Sequence, residues 1–388
     1  MGPKVRPPLQ TPGFTLVEAL IAAFIGALVI LVAAEVSKRV VGVNAQGRSA
    51  NQTTARGRIL VSQLSSDLRL TGLASTGAVA VDGTELPVST LASPTVGGRS
   101  AIPAIAGANN LPATPLGSLT LLEGSDAVQL IVSNPATSSP VSGYAAPGTQ
   151  TIELVDGGAL SECPFVLITD LGRATGAGRS QISGNAGVAG NTLTLNGRLV
   201  FGLQPESTVA CARISTYWVD TDRWLHRTDV ASGGLAGTVV SAFTTLGGGA
   251  VFVDTEAIDA NDRVTPGVLD LQIAYRLSAE AFRLNGQAVP ASADQAWAFD
   301  GSGVADGLLA NPQTWFEVRV VRAVLTVQSL QTGHVSEHTR DIPRVLDGPG
   351  TLTTRFSAQP HGLDVAETLT NLEYYDLAAP IGQAPEPY

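Results

Sequence analysis

The stretch from Phe14 to Ala34 constrains this chain more than any other. It holds one charge, Glu18, among Leu, Ile, Val, Ala and Phe. About 20 apolar residues rising ~1.5 Å each are enough to cross a hydrocarbon core of roughly 30 Å. A carboxylate inside such a span is costly and calls for a partner. A short leader carrying Lys4 and Arg6 precedes the span and ends at Gly13. Its prolines, Pro3, Pro7, Pro8 and Pro12, keep that leader extended. A secretory signal would place a small-residue cleavage site after a shorter apolar core. Here the glycine comes first, so an ordinary signal peptide or an uncleaved anchor is the weaker explanation.

The run Gly13-Phe14-Thr15-Leu16-Val17-Glu18 resembles the processing site of type IV prepilins and pseudopilins. The resemblance implies that a prepilin peptidase cuts between Gly13 and Phe14 and methylates the new amine of Phe14. It also implies that Glu18 pairs with the N-terminal amine of a neighbouring subunit during assembly. Physical chemistry agrees, because an amine and a carboxylate that are each costly in lipid offset one another when paired.

No proline follows Phe14 until Pro87, which permits one long helix. Val36, Val40, Val43, Gly47, Ala50, Thr54, Gly57, Val61, Leu64 and Leu68 recur at spacings of four and three. That is the stripe a helix needs to pack along neighbours or against a sheet. A helix over 14–70 would be on the order of 85 Å long. Gly42, Gly47 and Gly57 weaken it locally. Charge alone orients the span poorly: Lys4 and Arg6 precede it, while Lys38, Arg39 and Arg48 follow closely, which by count favours the opposite topology. The leader motif takes precedence, because the peptidase of the resembled family acts on the cytoplasmic side.

Low charge (14%), few aromatics (5%) and 42 glycines point to a β-rich exported domain with long loops. Net charge is −10, and −12 once Lys4 and Arg6 are removed. Such a surface argues against broad attraction to nucleic acid. Cys163 and Cys211 are the only thiols. An even count in an extracytoplasmic chain favours a disulfide tying two strands; two buried free thiols are the alternative.

Residues 71–124, rich in Gly, Ala, Ser, Thr and Pro, read as long loops. Strand patterns then run through 125–377: 126–132, 151–155, 164–170, 193–201, 209–220, 223–229, 250–254, 268–276 and 315–329. Ile214–Asp220, Thr221-Asp222 and Trp224–Arg227 read as a hairpin with a short polar turn. The tail 378–388, with Pro380, Pro385 and Pro387, reads as disordered. The expected fold class is α+β: a leader (1–13), a transmembrane and amphipathic helix (14–70), loops (71–124) and an antiparallel β-rich head (125–377). The ordered set of a Tyr-Trp strand, a Leu-x-Arg strand, Val268–Tyr275 and Val318–Val327 is similar to the order in PilW-type minor pilins. J-type pseudopilins of type II secretion are close relatives.

The residues do not point to catalysis. His334-Val-Ser-Glu-His338 matches an inverted zincin pattern, but it lies in strand-like surroundings without a third ligand, so no metal site is expected. Asp254, Glu256, Asp259, Asn261 and Asp262 could offer oxygens to calcium, yet the spacing misses the EF-hand loop. Gly247-Gly-Gly249 lacks the lysine of a phosphate cradle. Trp218, Trp224, Trp297 and Trp315 read as packing residues. No enzyme activity and no cofactor are expected.

The resemblance therefore implies a subunit that helps initiate or cap a type IV pilus-like filament. Its head would be extracytoplasmic, its helix in the inner membrane, and a bulky head would favour a place near the filament tip. The implied partners are other major and minor pilins, the prepilin peptidase and the pilus assembly platform, with nucleic acid involved only indirectly. A twitching pilus, a secretion pseudopilus and a competence system all remain open. The rivals are a pilus-borne adhesin or DNA-uptake module and a zinc hydrolase using His334 and His338.

Overall fold

The computed structural model describes residues 15–71, 78–82, 95–96, 99–113, 115–116, 118–170, 179–230, 243–244, 250–251, 263–291, 296–298, 304–327, 336–343, 351–358 and 373–380. The first element is α1, a single helix from Leu16 to Leu70 of 55 residues. The chain forms two compact units, Met1–Gln52 and Thr53–Tyr388. The boundary lies inside α1 rather than at 70, because the last part of the helix belongs to the core of the body.

In the first unit the apolar side chains from Leu16 onward, among them Phe24, Ile30 and Leu31, are exposed. Leu16–Gly42 is long and apolar enough to cross a membrane. Near its end Glu35 and Arg39 form an exposed i,i+4 pair at 3.6 Å.

In the second unit the stripe on α1 resolves into Leu60, Leu64 and Leu68, all fully buried. They join one core with Val128, Leu130, Val132, Tyr217 and Val219 from one sheet and Leu271, Ile273 and Val321 from another. Burying each leucine stabilises the fold by about 1.5–3 kcal/mol. Alternation along the strands is what permits this. Ile131, between Leu130 and Val132, faces a different core with Ile102, Phe165, Ile182 and Ile214.

The larger sheet is built around the strand Thr208–Val219. Along one edge it pairs with Ala127–Pro140; along the other, residues 208–212 pair with Phe165–Asp170 and residues 215–219 with Trp224–Asp229. The smaller sheet orders Trp297–Ala298, Val268–Leu277, Val318–Val327 and Glu373–Pro380, every neighbour antiparallel. The hairpin through 220–223 forms as expected. Asp220 N–H donates to the Trp224 carbonyl (3.0 Å) and Arg223 N–H to the Asp220 carbonyl (3.0 Å).

Several expectations are corrected. Residues 71–124 are not all loop. Ala78–Ala80, Arg99–Pro103 and Ile105–Ala108 are strands, anchored by buried Val79, Ile102 and Ile105. The body is not wholly antiparallel, because Val79 and Ala80 pair in parallel with Ser180 and Gln181. The strand expected over 193–201 stops at Leu195. Trp315 lies in a 3-10 turn, Pro312–Glu317, ahead of its strand. The tail is in part ordered, since Glu373–Pro380 pairs along Val318–Val327. Residues 381–388 lie outside the described residues.

Candidate functional site

Gly13 and Phe14 lie outside the described residues. From Thr15 onward the start of α1 is explicit. Thr15 N–H and Oγ1 both donate to the Glu18 carboxylate at 3.0 Å, and Glu18 N–H returns a bond to Thr15 Oγ1 at 3.3 Å. This is a reciprocal capping box, in which side chains satisfy amides the first turn leaves without helical partners. In a hydrocarbon environment such amides must find partners within the protein. Glu18 therefore has local partners in its own chain, four positions after Phe14 in sequence.

At the other end of α1 a second polar constellation docks the helix on the sheet. Asp67 is buried, and its two carboxylate oxygens take different partners. Arg213 Nη2 forms an ion pair with one oxygen, and the Tyr217 hydroxyl donates to the other at 2.6 Å. Burial, reinforced by the Asp67 charge, pushes the Tyr217 phenol far above its ordinary value. The network continues: Arg213 Nε donates to Ser215 Oγ (3.2 Å), Ser215 Oγ to Asp229 Oδ1 (2.6 Å), and Arg227 Nη2 to Asp229 Oδ2 (3.1 Å). The register explains the convergence. Arg213, Ser215 and Tyr217 alternate along one strand, with Asp229 opposite Ser215 and Arg227 opposite Tyr217. Burying the Asp67 carboxylate costs desolvation, offset because each of its oxygens has a partner.

A third polar pair sits beneath the hairpin. His226 Nε2 and Asp220 Oδ2 are 2.8 Å apart and fully buried. The imidazole stacks on Trp218 with centroids 4.2 Å apart, and Trp218 Nε1 donates to Thr228 Oγ1 at 3.1 Å. Asp220 Oδ1 accepts from Trp224 N–H at 2.8 Å, closing the turn. A buried His–Asp pair evokes half of a hydrolytic triad, but among the described residues no hydroxyl or thiol is bonded to its other ring nitrogen. The arrangement pins a hairpin.

Cys163 and Cys211 are joined, with Cα atoms 5.4 Å apart. Cys211 is opposite Val166 in the ladder, and Cys163 precedes that strand by two residues. The bridge lies against a core containing Leu160, Val166, Ile168 and Val209.

Of the zincin-like pair only the backbone of His338 falls within the described residues. His338 lies in the strand Ser336–Pro343, opposite Phe356 of Thr351–Ala358, while His334 and the acidic residues 254–262 lie outside the described residues. Among the described residues no three His, Cys, Asp or Glu side chains are grouped to hold a metal. Trp218 and Trp315 are buried, the latter edge-on to Tyr275 at 4.9 Å, and Trp224 carries the Arg263 guanidinium 5.0 Å above its ring.

The sequence pointed to the bond between Cys163 and Cys211, and it gave no sign of Arg213, Tyr217, Asp220 or His226. Asp67 stands directly beside Leu68 of the apolar stripe, which was the available signal. Its partners are 146 and 150 positions away. No family model, no curated protein and no solved structure matches this chain.

Proposed function

We propose that the chain is a type IV pilin-like subunit, most similar to PilW-type minor pilins. It inserts in the inner membrane, is cut between Gly13 and Phe14 and methylated at Phe14, and helps initiate or cap a filament. The observation that supports this reading best is α1 itself. One uninterrupted helix presents 27 residues of membrane-spanning character at its start and three buried leucines in the core of a β-rich body at its end.

The capping box adds a mechanism. Before assembly one oxygen of the Glu18 carboxylate is hydrogen-bonded by Thr15, while its charge still lacks a counter-charge. Docking of a neighbour's Phe14 amine then supplies an ionic partner, and a charged donor bonds a carboxylate more strongly than a neutral one. Assembly is the function, and turnover has no role in it.

The test is Glu18→Gln in cells that make the filament. Glutamine keeps an oxygen for Thr15 but has no charge for an amine. The expected result is normal membrane insertion and leader removal with filament incorporation lost. Incorporation at wild-type levels would contradict the proposal.

A further inference from the structure

We infer that the groove between the end of α1 and the larger sheet is a docking site for an acidic segment of a partner polypeptide. The groove is open, about 510 Å³ in volume, and every residue lining it belongs to the body Thr53–Tyr388. Arg58, Ile59 and Ser62 come from the helix side, and Arg213 and Arg227 from two adjacent strands.

Three features select an acidic peptide. The first is charge. Three guanidinium groups meet two carboxylates, Asp67 and Asp229, leaving a cationic pocket on a chain whose net charge is −10. Asp67 is engaged inward, and among the described residues Arg58 has no ion-pair partner. The second is preorganisation. Asp67 and Asp229 hold Arg213 and Arg227 in place, yet these side chains stay 34% and 29% exposed. A guanidinium has five donors in a fixed fork, so an anchored one keeps others for an incoming carboxylate. The third is the apolar wall. Ile59 is 64% exposed beside these charges, which suits a segment mixing carboxylates with an apolar side chain. A nucleic acid fits less well, since the arginines are confined to one groove and form no track along a backbone, while the rest of the chain repels a long polyanion.

This inference goes beyond filament assembly, because any partner with such a segment would qualify. The experiment uses the full chain in a nonionic detergent and hexaglutamate as the probe, followed by titration calorimetry at 50 and 500 mM salt. Saturable binding at low salt is expected, weakened at least tenfold by Arg58→Glu and by high salt. Arg283→Glu, which changes charge equally on an exposed residue elsewhere, is expected to leave it unchanged. Arg58 is exposed, so its variant should melt like the wild type. Absence of hexaglutamate binding, equal binding by Arg58→Glu, equal loss in Arg283→Glu, or tighter binding of a 12-nucleotide single-stranded DNA would each overturn the inference.

Discussion

The Tyr217 hydroxyl donates to the Asp67 carboxylate at 2.6 Å, joining the last turn of α1 to the central strand across 150 positions of sequence. With Arg213 on the other oxygen, that carboxylate is fully engaged, and the helix has one azimuth on the sheet. Leucine packing alone would tolerate small rotations; a buried, directional charge network does not.

The Tyr217 phenol has a testable pH signature. Its folded-state pKa is raised above the unfolded value of about 10, so the native state holds the proton more tightly. The stability this contributes is complete below pH 10 and is lost as pH rises beyond it, by at most ~1.4 kcal/mol per pH unit. Tyr275 is shifted in the same direction by burial, so the informative quantity is the difference between wild type and Tyr217→Phe. Urea unfolding from pH 8 to 11 should show a smaller alkaline decline in the variant. At pH 7 the variant should lose about 1–3 kcal/mol, the cost of a bond to a charged acceptor.

Truncation along α1 should divide the helix in two. Leu64→Ala removes a fully buried side chain and should cost about 2–5 kcal/mol of body stability. Leu31→Ala removes one that is 72% exposed and should leave the body's unfolding midpoint unchanged. Equal effects of the two would show that the body does not hold the end of the helix.

Reducing the Cys163–Cys211 bridge opens a loop with a sequence separation of 48. Chain-entropy arguments put the loss at about 4 kcal/mol. The Cys163→Ala/Cys211→Ala variant should therefore melt below the oxidised protein and become insensitive to added reductant. Intact mass would confirm the bond as two hydrogens missing.

His226→Ala should be among the most damaging single changes in the body. It leaves the Asp220 carboxylate buried without its imidazole and removes the ring stacked on Trp218. Breaking a buried pair from one side costs about 3–5 kcal/mol. Near-ultraviolet circular dichroism, which reports the Trp218 environment, should change along with the denaturation midpoint.

Much of this architecture was legible in the residues. The apolar run, the stripe at spacings of four and three and the absence of proline before Pro87 locate α1 to within two residues. Alternation around Tyr217 and Trp218, with Thr221-Asp222 between, locates the hairpin. Small or polar residues in buried positions hid the rest. Arg179–Ala189 contains only Ile182 and Val188 as large aliphatics, too few to show a strand pattern. It holds because Gln181 Nε2 donates to the Arg198 carbonyl (2.7 Å), while Val200 N–H donates to Gln181 Oε1 (2.7 Å). Gly107 is another case. A Cβ there would lie 1.7 Å from Tyr275 Oη, so a residue that reads as a loop glycine is the gap into which a distant tyrosine packs. The partners of Asp67 are 146 and 150 positions away and meet it only once helix and sheet have docked, whereas His226 and Asp220 lie six positions apart inside a hairpin whose pairing the residues do show.

On the proposed function, α1 begins as a processed, membrane-inserted helix whose new terminus is Phe14. The most direct measurement is intact and N-terminal peptide mass spectrometry of the membrane-extracted protein, made in parallel from cells with and without the prepilin peptidase. A mature chain starting at N-methylated Phe14, present only with the peptidase, is the predicted result. A chain that keeps residues 1–13 while the peptidase is active would contradict the proposed function.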